Sequence, residues 1–172
     1  MRTLKTALFI AFAFVLFSST GSAQRRRAPV KPPAAPASSV VPADVRATAQ
    51  KVSVQVKNVT KFLYTLGGIA IRIEDLEAEA KTRTIGRAAL DANQENKRKV
   101  MQAIRNLRAG IATLEVEFRT KSTLTKYLVN IQGITELSAQ SEDLAAVGRF
   151  SEAGRPLLAL VEKLSDTLAV MP

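Results

Sequence analysis

From Ala43 to Arg155 the chain runs without a proline, and over most of that length apolar residues recur at alternating spacings of four and three. A helix interior tolerates proline least of all residues, and the four-three rhythm is what one helical face presents. The first such seam is Val45, Ala49, Val52, Val56, Val59, Leu63 and Leu66. Val52, Val54 and Val56 also alternate as a strand would, and valine favours strands. A strand would not hold a four-three rhythm for over twenty residues, so the helix is the stronger reading.

Gly67-Gly68 then interrupts at about 1 kcal/mol per glycine relative to alanine, yet Ile69, Ile73, Leu76 and Ala80 carry the seam onward. The pair marks either a kink or a close helix crossing. Thr82 to Leu90 read as a connection, and Asp91 with Gln94 as a capping-box-like start of a second helix. Its seam is Val100, Ile104, Leu107, Ile111, Leu114 and Phe118. A third helix is expected from Ser122 or Thr123, with Leu124, Leu128, Ile131, Ile134 and Leu137 inward. Leu144 and Val147 extend it or form a short helix of their own. The last helix carries Leu157, Val161, Leu164, Leu168 and Met171, with Pro156 in its first turn, where a lost donor costs little. Four amphipathic segments with short links predict an all-α fold, an antiparallel up-down bundle of four main helices over residues 43–172.

One stretch resembles a known family. In "DLAAVGRFSEAGRPLLALVEKL", Gly148, Phe150 and Ala153 match the glycine, aromatic and alanine of a tetratricopeptide-repeat elbow. The match occurs once, over about 22 residues, whereas stacked solenoids need ~3 repeats. Gly154-Arg155-Pro156 departs from that pattern. The resemblance implies a helical hairpin at this point and no peptide-binding solenoid.

Upstream, "MRTLKTALFIAFAFVLFSSTGSAQ" has Arg2 and Lys5, an apolar run from Ala7 to Phe17, and small residues at Gly21 and Ala23. This is the pattern of a secretory signal peptide over residues 1–23, cut before Gln24. The apolar run would span ~16 Å as a helix, about half a bilayer's hydrocarbon core, so no membrane span is expected after cleavage. Residues 24–42 follow as a basic arm rich in proline and alanine, expected to be disordered and extended. It holds five of the seven prolines. The formal charge of +10 falls to +8 without the leader. Arg25, Arg26, Arg27 and Lys31 carry half of that remainder, so the region beyond them is only mildly basic.

The chain has no histidine, cysteine or tryptophan. Histidine bases, thiol chemistry and ordinary zinc sites are thereby excluded. Gly67-Gly68 lacks the lysine and hydroxyl of a phosphate loop. No catalytic residue, cofactor or metal ligand is expected. The carboxylates Glu74, Asp75, Glu77 and Glu79, and the pair Glu115 and Glu117, read as solvated helix faces. A Ser122–Lys126 dyad reads as a helix start before it reads as a catalyst. An exported core without disulfides favours a bacterial envelope, periplasmic or extracellular, over a eukaryotic secretory setting.

The expected function is therefore a non-enzymatic, exported bundle with a binding or structural role in the cell envelope. Its candidate contacts with an anionic surface are Arg25, Arg26, Arg27 and Lys31 on the arm, and Lys97, Arg98, Arg105, Arg108 and Arg119 on the second helix. Arg98, Arg105, Arg108 and Arg119 fall within about 80° of one another at 100° per residue. Candidate partners are an envelope protein, an anionic surface or a second copy of the chain. Two alternatives stand beside this reading: a nucleic-acid-binding basic protein with an uncleaved N-terminus, and a carboxylate-metal enzyme. Export disfavours the first, and the missing histidine disfavours the second.

Overall fold

A computed structural model describes residues 41–172. The expected leader, the arm up to Val40, and with it Arg25, Arg26, Arg27 and Lys31, lie outside the described residues.

Four main helices form an all-α bundle: α1 (Ala43–Thr82), α2 (Arg87–Thr120), α4 (Ile134–Ala146) and α5 (Phe150–Val170). A 3-10 turn (Thr125–Tyr127) and the four-residue α3 (Leu128–Ile131) lie between α2 and α4. Among the described residues there is no strand. α1 packs on α5 and α2, and α4 closes the ring between α2 and α5. Side-chain pairings fix the directions. Lys51 meets Glu117 while Glu77 meets Lys97, so α1 and α2 are antiparallel. Glu115 meets Thr135 while Arg105 meets Glu142, so α2 and α4 are as well.

The seams read from the sequence face inward, except at Ala80, which is exposed near the end of α1. Val45, Val52, Val59 and Leu66 are buried on α1, as are Val100, Ile104, Ile111, Leu114 and Phe118 on α2, and Leu157 and Leu164 on α5. They form two stacked clusters. The larger gathers Val52, Ile111, Phe118, Ile131 and Leu164, and the smaller gathers Leu66, Ile73, Ile104, Phe150 and Ala153. Phe62 packs against both.

Three local expectations are corrected. α2 begins at Arg87, so the connection is only residues 83–86, and Asp91 lies inside the helix rather than capping it. The single third helix is broken. Gly133 takes the left-handed conformation, φ 88°, which separates α3 from α4. Leu144 lies within α4, and Val147, just beyond its end, is 71% exposed. Pro156 sits well inside α5, since buried Phe150 and Ala153 anchor an earlier start. The hairpin implied by the repeat resemblance is present as α4–α5, turning at Gly148 with φ 83°.

Gly67 and Gly68 neither break α1 nor mark a crossing within the bundle. A Cβ built on either meets nothing within 4 Å. At Gly133 the surrounding space is equally open, so a substitution there is opposed by backbone conformation alone. Gly133→Ala is expected to cost about 1–2 kcal/mol, read as a lower urea midpoint with an unchanged slope.

Candidate functional site

The short helices lack caps of their own. No side chain of Gly133 or Arg149 caps α4 or α5, and the free N–H groups of a first turn need partners. Both are capped from the long helices. Glu115 on α2 accepts from the Thr135 N–H at 3.0 Å through Oε2 and from the Gly133 N–H at 3.2 Å through Oε1, and Arg119 donates to that same Oε1 at 2.6 Å. Burial raises the Glu115 carboxyl's pKa, but hydrogen bonds from Arg119, then Thr135 and Gly133, outweigh it and hold the group at about 2. Glu74 on α1 accepts from the Ser151 N–H at 2.8 Å and the Ser151 hydroxyl at 2.6 Å. A carboxylate at a helix N-terminus also meets the positive end of the dipole.

Three of the other carboxylates are engaged separately. Glu77 pairs with Lys97, Glu79 with Arg83, and Glu117 with Lys51 and Lys121. Among the described residues no three acidic side chains converge as metal ligands would.

The basic stripe of α2 is divided by the fold. Arg105 and Arg108 both donate to Glu142 of α4 at 2.8 Å, and Arg105 first, then Arg108, lowers that carboxyl's pKa. Arg119 holds Glu115, and Arg98 pairs with Glu95 on its own helix. Lys97 alone of the five turns towards α1, where it meets Glu77.

That last seam is the candidate binding surface. Three hollows of about 530, 390 and 570 Å³ follow one another between α1 and α2. Only the middle hollow is lined by lysine without a carboxylate, Lys61 and Lys99; the first sets Lys51 beside Glu117, and the third sets Lys81 and Lys97 beside Glu77 and Asp91. The middle hollow has an apolar floor of Phe62, Ile69 and Val100 under a rim of Lys61, Lys99 and Asn96. Lys61 and Lys81 have no carboxylate within ion-pair distance among the described residues, whereas Lys51, Lys97 and Lys99 do. Ammonium groups above an apolar floor suit a ligand with anionic heads and an apolar body. Of these lysines, reading α2 alone singled out only Lys97. The others belong to two helices whose register decides that they share a furrow.

Among the described residues no helix is long and apolar enough to cross a membrane. No protein-family model, curated protein or solved structure matches the chain.

Proposed function

We propose that the protein is a non-enzymatic, exported helical bundle that works in the cell envelope by binding an anionic, partly apolar surface. The observation that carries this is the middle hollow between α1 and α2, where Lys61 and Lys99 rim a floor of Phe62, Ile69 and Val100. The leader pattern and the arginine arm read from the sequence support export and a second anionic contact. The surface chemistry meant is that of anionic phospholipid headgroups over acyl chains.

Co-sedimentation with vesicles tests it, comparing phosphatidylglycerol-containing with pure phosphatidylcholine membranes. Binding is expected only to the anionic vesicles and is expected to weaken as salt rises. At about 1 kcal/mol per cation near such a surface, Lys61→Gln with Lys99→Gln should lower partitioning roughly thirtyfold. Neutralising Arg25, Arg26 and Arg27 together should lower it roughly 150-fold. Equal partitioning of the wild type into both membranes would overturn the proposal. An unchanged Lys61→Gln/Lys99→Gln variant would remove the furrow from it.

A further inference from the structure

We propose that the outer face of α1 around Gly67 and Gly68 docks a second copy of the chain, the two α1 helices crossing antiparallel about a two-fold axis between the glycines. Tyr64 is 89% exposed and Ile71 57% exposed. At 100° per residue they share one side of α1 with the two glycines, opposite the buried seam. Glycines in a helix interior are unfavourable, and within the bundle nothing approaches these two. Their absent side chains leave room for another helix to approach closely.

The occupant follows from self-complementarity. A two-fold interface requires that residue i meet j while j meets i. Tyr64 lies three positions before Gly67, and Ile71 three positions after Gly68. An axis between the glycines therefore sets each Tyr64 against the second copy's Ile71. A hollow of about 320 Å³ beside Gly67, lined by Leu63, Ala70, Ile71 and Gly154, lies where that tyrosine ring arrives.

Charge matches in the same register. On the same face Lys57 and Lys61 precede the glycines and Asp75 follows them, all three exposed. None has an ion-pair partner among the described residues. The antiparallel crossing sets Lys61 of each copy near Asp75 of the other, whereas a parallel crossing would set lysine on lysine. A single crossing buries less than the roughly 800 Å² per partner of a standard interface, so the dimer is weak and needs high concentration.

Sedimentation equilibrium of the purified protein up to several hundred micromolar tests this. A monomer–dimer equilibrium is expected. Gly68→Leu should weaken it at least tenfold by filling the crossing point. Its monomer should stay folded and as thermally stable as the wild type, since the added side chain meets open space and leucine favours helix. Lys61→Glu alone, or Asp75→Lys alone, should each weaken association about tenfold, while the double variant Lys61→Glu/Asp75→Lys recovers it. A monomer at every concentration would overturn the proposal, and so would a dimer unmoved by Gly68→Leu. Failure of the double reversal to recover association would overturn the antiparallel register on which it stands.

Discussion

Phe118→Ala is expected to lower the unfolding free energy by about 3–5 kcal/mol, the range for a buried phenylalanine truncated to alanine. Phe118 is the largest fully buried side chain among the described residues, at 0% exposure in the last turns of α2. It belongs to the cluster that also holds Ile111, Leu124, Tyr127, Ile131 and Leu164. These residues come from α2, the connection beyond it and α5, so the missing ring leaves a void that no one element can close by shifting. Small domains are stable by only about 5–15 kcal/mol, so this one change removes a large share. Calorimetry should show a melting temperature lower by about 10–15 °C. A drop under about 3 °C would mean that the cluster is not the bundle's principal core. Ile111→Val, which deletes one methylene in the same cluster, should cost only about 1 kcal/mol.

Glu115→Gln is the second large effect, and pH reveals its mechanism. The Glu115 carboxyl is held at about 2 against an ordinary value near 4.5. A group whose folded pKa is depressed contributes stability above its unfolded value and loses it as pH falls through the folded one. At roughly 1.36 kcal/mol per pH unit, the contribution is about 3 kcal/mol at neutral pH. Urea unfolding of wild type and variant should therefore differ by about that amount at pH 7. The difference should narrow as pH falls from 4.5 towards 2, where wild-type Glu115 is itself protonated. A gap independent of pH would show that the loss is one of shape rather than charge. Retaining the carboxylate on a shorter stem, as in Glu115→Asp, should preserve the narrowing even where stability is lower overall.

These two residues also show what the sequence disclosed. Phe118 was legible, because its burial follows from a spacing of four after Leu114 in a seam that repeats along one helix. The same holds for Val52, Ile104 and Leu164, which is why the fold class could be read from periodicity alone. Glu115 was legible only as a carboxylate on a helix face. Its work is done across space, on N–H groups 18 and 20 residues away. No local motif marks such a cap, so the separate start of α4 went unread and that of α5 was placed too late. Periodicity also runs blindly through Gly133, because Ile131 and Ile134 keep helical spacing although the backbone between them turns left-handed. The furrow was hidden for a third reason: Lys61 and Lys99 become neighbours only through the register of α1 against α2.

The borrowed caps have a consequence for how the chain is put together. α4 and α5 cannot complete their first turns from their own side chains, and the groups they need are Glu115 of α2 and Glu74 of α1. The second half of the chain therefore completes its helix starts only where it lies against the first, and docking and capping are a single event.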